Sequence, residues 1–214
     1  MFEYVLFDLD GTLTDSSEGI INAAIYALEK LNIEVNERDE LRKFIGPPLQ
    51  DSFSEDYGFS KDETQEAIDY FREYYNEKGL LENRPYDNIE QVLIQLKLSG
   101  KKLVVATSKP EVFTNRILEH FKLLNNFYFV AGATLDSTRI KKKDIIAYAL
   151  EALKVEDKSK VVMIGDRKHD ISGAAANGIA SIGVLWGFGD EAELEQAGST
   201  YLAKEVTDLL KIID

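Results

Sequence analysis

Two aspartates one residue apart close an apolar run in Tyr4-Val5-Leu6-Phe7-Asp8-Leu9-Asp10-Gly11-Thr12. The run reads as a buried strand, and Gly11 lets the chain turn at its carboxyl end. Asp8 and Asp10 share strand parity, so both would face one way if the strand persisted. Like charges about 4 Å apart repel by about 4 kcal/mol at an effective dielectric of about 20. A fold keeps such a pair only with a cation, a proton or a use for both.

The chain downstream changes grammar twice. From Ser16 the spacing predicts helix only: a first helix to Leu31 with Ile20, Ala23, Ala24, Ala27 and Leu28 on its stripe, and a second near Glu37 to Phe44. Further pieces are expected over 49–55 and, as one long helix that Gly79 closes, over 61–78. Arg84-Pro85-Tyr86 reads as the return link. From Asp87 strand runs alternate with helices: Leu103–Ala106, Phe127–Val130, Val161–Ile164 and Ala180–Val184, with helices around Val92, from Pro110, around Ile145, around Ala174 and over 206–212. That alternation predicts an α/β fold, a parallel sheet covered by helices on both faces. Residues 1–14 and 83–214 form the expected core. Residues 15–82 form an all-helical insert that would sit over the end of the first strand like a lid.

Open parallel sheets bind ligands beyond the carboxyl ends of their strands. Four carboxylates are expected to gather there: Asp8 and Asp10 from the first strand, Asp166 and Asp170 after the fourth. Alone, Asp166 and Asp170 would read as helix caps. Beside Asp8 and Asp10 they read as a metal site, and oxygen ligands without His or Cys favour Mg²⁺ before Ca²⁺. Thr107 and Ser108 end the second strand ahead of a helix, where a hydroxyl and backbone N–H groups would receive an anion. One of Lys141, Lys142 and Lys143 is expected to point into the site and neutralise a phosphate.

The formal net charge of −13 argues against nucleic acid or an anionic membrane as partner, because both need a basic face. A small anionic substrate remains compatible through a local pocket. No apolar run approaches the roughly 20 residues of a membrane-spanning helix. No basic-then-apolar leader opens the chain and there is no cysteine, which together point to the cytoplasm.

Asp8-Leu9-Asp10-Gly11-Thr12, then Thr107-Ser108, then a lysine, then Gly165-Asp166-Arg167-Lys168-His169-Asp170 resemble, in order and spacing, the four motifs of the haloacid dehalogenase superfamily. The insert resembles the helical cap of the branch that holds phosphoglycolate phosphatases, pyrophosphatases, phosphonatases and β-phosphoglucomutases. The resemblance implies a phosphatase acting on a small phosphorylated metabolite of the phosphoglycolate type. It implies Asp8 as nucleophile and Asp10 as general acid and then base. It implies Mg²⁺ held by Asp8, the Asp10 carbonyl and Asp166, with Asp170 as a further ligand or support. Thr107 and the Ser108 N–H would hold the phosphoryl oxygens. Lys142 is taken as the motif lysine, on the pattern Lys-x-Asp followed by two aliphatics, with Lys143 as runner-up. Asp10 favours phosphoryl transfer, since the family's dehalogenases lack an aspartate there.

Alternatives within the family are a 5'-nucleotidase, an inorganic pyrophosphatase or a phosphoglucomutase-like transferase. From a different class, a phospho-aspartate signalling module would share the site without turnover. Lys109, and Arg42 or Lys43 in the insert, are candidate substrate contacts. Tyr70, Phe71, Tyr74 and Tyr75 read as core of the insert, His169 as exposed, and Trp186-Gly187-Phe188-Gly189 as packing at the rim.

Overall fold

In a computed structural model, described for residues 1–136 and 138–214, the chain folds as two compact units. Met1–Asp15 and Pro85–Asp214 form one, and Ser16–Arg84 the other. The chain opens on strand β1 (Tyr4–Phe7) and crosses to the second unit after the short strand β2 (Thr14–Asp15).

The second unit is helical: α1 (Ser17–Lys30), a 3₁₀ stretch Arg38–Phe44, α2 (Leu49–Tyr57) and α3 (Lys61–Tyr74). Ser60 and Glu63 cap α3 reciprocally, each side chain bonding the other's backbone N–H. The interior between α1 and α3 takes Ala23, Ala24, Ala27 and Leu28 from one and Ala67, Ile68 and Phe71 from the other. Phe44, Phe53, Tyr57 and Phe59 form an aromatic cluster, with Phe44 and Phe53 centroids 4.9 Å apart. Two expectations change here. The long helix ends at Tyr74 and passes into a π-turn over Tyr75–Gly79. Gly79 does not close it with a left-handed residue. Its role is close approach: a Cβ on Gly79 would lie 2.9 Å from the Gly19 carbonyl oxygen, and one on Gly19 would lie 1.9 Å from the Gly79 carbonyl oxygen. Of the four aromatics expected in this core, Phe71 and Tyr75 are buried and Tyr70 and Tyr74 only half-buried.

The chain returns through β3 (Arg84–Pro85) and continues with α4 (Ile89–Leu98), β4 (Lys102–Pro110), α5 (Glu111–His120), β5 (Phe129–Ala133) and α6 (Lys142–Ala152). There follow β6 (Val161–Gly165), α7 (Lys168–Asn177), β7 (Ala180–Val184), α8 (Glu191–Gln196), β8 (Tyr201–Ala203) and α9 (Leu209–Ile213). Six strands form one parallel sheet in the order β5-β4-β1-β6-β7-β8, with helices on both faces. The central strands are apolar throughout because both faces are covered; Val5, Leu6, Phe7 and Val161 to Ile164 have no exposed surface. Among the described residues, no helix is long and apolar enough to cross a membrane.

The sequence pattern misses β8 and α8, which are too short to show a period. The third strand starts two residues later than its apolar run suggests. Phe127 packs edge-on against Phe7 from the preceding turn, while Tyr128 is 71% exposed. The second strand runs on to Pro110 with a register shift after Ala106, so α5 begins at Glu111.

Chain order reverses about β1: the chain builds outward through β4 and β5, then returns to β6 on the other side. Such a switch point leaves a crevice beyond the strand ends.

Candidate active site

Register brings the polar groups level. Phe7 pairs with Val105 and with Ile164, and the Asp8 N–H donates to the Ile164 carbonyl at 2.9 Å. Asp8 is therefore the first residue past β1, beside Gly165-Asp166 and near Thr107. The chain then folds over itself: the N–H groups of Leu13 and Thr14 donate to the Leu9 carbonyl, and Gly11 donates to Thr14. Gly11 has φ +78°, which favours glycine. A Cβ there would also lie 2.2 Å from Asp166 Oδ2.

The two crowded aspartates are separated by having a lysine each. Lys142 Nζ lies 2.8 Å from Asp8 Oδ1 and 2.7 Å from Asp170 Oδ1, and donates to the Ala106 carbonyl at 3.1 Å. Lys109 Nζ lies 2.7 Å from Asp10 Oδ2. Asp10 Oδ1 is buried and, among the described residues, has no hydrogen-bond partner. Of the three consecutive lysines, Lys142 is 6% exposed, while Lys141 and Lys143 face solvent. Lys142 opens α6, whose apolar stripe of Ile145, Ile146 and Ala149 turns its first residue inward as well. Gly173 of α7 leaves room for the lysine stem, which a Cβ there would meet at 2.9 Å.

Asp8, Asp166 and Asp170 each offer an oxygen within 4.8 Å of the others. Burial pushes the Asp8 carboxyl above its ordinary value; Lys142 pulls it back and Asp170 pushes it up again, with a net rise. Burial, then the charges of Asp170 and Asp8, push the Asp166 carboxyl well up. Burial disfavours the Lys142 cation, but Asp170 and Asp8 outweigh it and hold the ammonium above its ordinary range. Three carboxylates against one ammonium leave a formal charge of −2 in a buried space. A divalent cation neutralises that charge, and an all-oxygen donor set suits a hard one. The residues present fit a metal of the Mg²⁺ kind.

Thr107 is buried, and its hydroxyl lies near enough to the Asp8 carboxyl to offset part of the upward shift there; its Oγ1 accepts from the Lys109 N–H at 3.2 Å. Ser108, at the irregular end of β4, is half-buried. Asp170 is third in α7, and its Oδ2 accepts from the Arg167 N–H at 3.1 Å, so it caps the helix and faces Lys142 at once. Asp166 accepts from the Phe188 N–H at 2.8 Å and from the Thr12 hydroxyl at 3.4 Å. Arg42 belongs to the helical unit, where it is exposed beside Asp39 at 3.4 Å; Lys43 pairs with Asp56 there. His169 is exposed. The pairing of Lys109 with Asp10 and the donation from Phe188 to Asp166 are not visible in the sequence. The Gly-x-Gly spacing at 187 and 189 is the one hint of the latter.

The haloacid dehalogenase-like hydrolase family matches residues 5–184. The chain belongs to that family and takes its place among the family's phosphatases. It is 42% identical to a 5'-nucleotidase of Pseudomonas aeruginosa over 98% of this chain and 95% of that one. It is 38% identical to tyrosine-protein kinase PtkA of Mycobacterium tuberculosis over 96% of this chain and 69% of that one. The crystal structure of a predicted phosphatase from Clostridium acetobutylicum superposes with a TM-score of 0.95 at 49% identity, covering 100% of this chain and 98% of the other. Phosphoglycolate phosphatases and pyrophosphatases also occur among its relatives, at 29–30% identity.

Proposed function

We propose that the protein is a Mg²⁺-dependent phosphomonoesterase that hydrolyses a small phosphorylated metabolite through an aspartyl-phosphate on Asp8. The supporting observation is Lys142 held between Asp8 and Asp170, with Asp166 close enough to share a cation.

In the first step an Asp8 oxygen forms a bond to phosphorus as the bond to the leaving oxygen breaks. The leaving oxygen takes the electron pair and a proton from Asp10. In the second, water attacks phosphorus and gives a proton back to Asp10, the bond to Asp8 breaks, and phosphate leaves. Oδ1 is the atom of Asp10 left for this traffic, since Oδ2 is engaged by Lys109. The Thr107 hydroxyl and the Ser108 N–H receive phosphoryl oxygens, and Lys142 opposes their charge. A Mg²⁺ ion held by Asp8, Asp166, Asp170 and the Asp10 carbonyl would neutralise the carboxylates and polarise the phosphoryl group.

The family resemblance alone favours a phosphoglycolate-type substrate. The 42% likeness to a 5'-nucleotidase moves our preference to a nucleoside 5'-monophosphate, with phosphoglycolate second. The test is phosphate release with Mg²⁺ from nucleoside 5'-monophosphates, phosphoglycolate, pyrophosphate and phosphotyrosine. Asp8→Asn is expected to fold and to lose turnover by more than about 10³-fold. Full activity in that variant removes Asp8 as nucleophile. A stable phosphoprotein without turnover in the native chain points instead to a signalling module.

A further inference from the structure

We propose that the loop after β7, residues 185–190, is the positioning element of the metal site, with Trp186 and the Phe188 backbone fixing Asp166. The proposal rests on the reading of Asp8, Asp166 and Asp170 as cation ligands.

Asp166 differs from its two neighbours. Lys142 pairs with Asp8 and Asp170, whereas among the described residues no ion pair reaches Asp166. It has no exposed surface, and its orientation is set by neutral donors. The Phe188 N–H donates to Oδ2 at 2.8 Å and the Thr12 hydroxyl to Oδ1 at 3.4 Å, so each oxygen accepts one bond and keeps a lone pair. The loop also reaches the other donor's backbone: Trp186 Nε1 donates to the Thr12 carbonyl at 3.1 Å. Trp186 thus ties the loop after β7 to the loop after β1, and the Asp166 carboxylate lies between the two.

The glycines explain how the loop comes so near. A Cβ on Gly187 would lie 2.3 Å from Asp166 Cβ and 2.4 Å from the Gly11 carbonyl oxygen. A Cβ on Gly189 would lie 2.0 Å from the Asp166 carbonyl oxygen. Backbone atoms cannot swing aside as a side-chain tip can, so any larger residue at these positions must displace the loop or Asp166. Trp186-Gly187-Phe188-Gly189 is therefore a clamp on one carboxylate rather than packing at the rim. Groups that orient a metal ligand without touching the metal change affinity by about 10–100-fold when removed.

The experiment measures Mg²⁺ binding to the whole protein by calorimetry, without substrate, alongside the metal-free melting temperature. Trp186→Phe keeps an aromatic ring, though a smaller one, and removes the N–H; Gly187→Ala drives a methyl group toward Asp166. Both are expected to weaken Mg²⁺ binding about 10-fold. For Trp186→Phe, the metal-free melting temperature stays at the wild-type value and turnover returns at saturating Mg²⁺. Trp186 is the chain's one tryptophan, so its emission follows the Mg²⁺ titration in Gly187→Ala as a second readout. If Gly187→Ala does not fold, Trp186→Phe decides alone. Unchanged Mg²⁺ affinity in Trp186→Phe overturns the assignment, whether or not its melting temperature falls. A wild-type protein that binds no divalent cation overturns the metal reading itself, and this proposal with it.

Discussion

At the scale of single residues, the site works by giving each crowded carboxylate a different partner. Asp8 shares Lys142 with Asp170, while Asp10 pairs with Lys109. The second pair leads to a prediction. Lys109→Met removes what holds Asp10 Oδ2, so Oδ1 loses its aim while the rest of the site stays intact. The value of kcat is expected to fall about 10–100-fold on an alkyl phosphate, whose leaving oxygen needs a proton. It falls much less on p-nitrophenyl phosphate, whose leaving group departs unaided, and KM changes little. An equal loss on both substrates, or a rise in KM alone, returns Lys109 to substrate binding.

Elements meet where glycine permits it. In the helical unit the start of α1 passes the end of the π-turn so closely that Gly19 and Gly79 exclude each other's side chains. Gly19→Ala forces a methyl into the Gly79 carbonyl, which cannot rotate away. The expected cost is about 1–3 kcal/mol, as for other overpacked sites, read as a lower urea midpoint. A midpoint within error of wild type would show that the two turns can separate freely. Gly58, whose surroundings are open, is different: it holds a left-handed cap at φ +66° after α2, and its constraint is conformational only. Glycines at 58 and 79 look alike in a sequence, and only packing tells a cap from a contact.

For the whole molecule, the buried carboxylates make stability depend on pH and on metal. Asp8 and Asp166 have folded-state values raised above the ordinary 3.8. Between that value and the raised ones, the folded protein binds more protons than the unfolded chain. Stability of the metal-free protein is therefore expected to fall as pH rises through that window. Mg²⁺ binds the ionised form, so the gain in melting temperature on adding it should grow across the same window. A gain that shrinks with rising pH would contradict the metal assignment. We propose Arg42, exposed on the helical unit beside Asp39, as a substrate contact: Arg42→Ala should then raise KM for the natural phosphate ester several-fold and leave that for p-nitrophenyl phosphate unchanged. A KM for the natural ester unchanged from wild type, or raised by the same factor as that for p-nitrophenyl phosphate, removes Arg42 from recognition.

The alternation of strand and helix, the all-helical stretch after β1 and the polar residues at strand ends are legible in the sequence. They follow from local period and from strands that are apolar on both faces. The gathering of Asp8, Thr107, Asp166 and Asp170 follows too, because parallel strands in register end at one level. Lys142 is preferred to Lys143 in the sequence only through the family's pattern of Lys-x-Asp before two aliphatics; its burial beside Asp8 and Asp170 is seen in the structure alone. The partner of Lys109, the grip of residues 186–189 on Asp166, the contact of Gly19 with Gly79 and the edge strand β8 were decided by tertiary structure. Each joins residues far apart in the chain, or rests on a segment too short for periodicity. The amino-acid order thus determined which carboxylates meet, and three-dimensional packing decided which cation or donor each one faces.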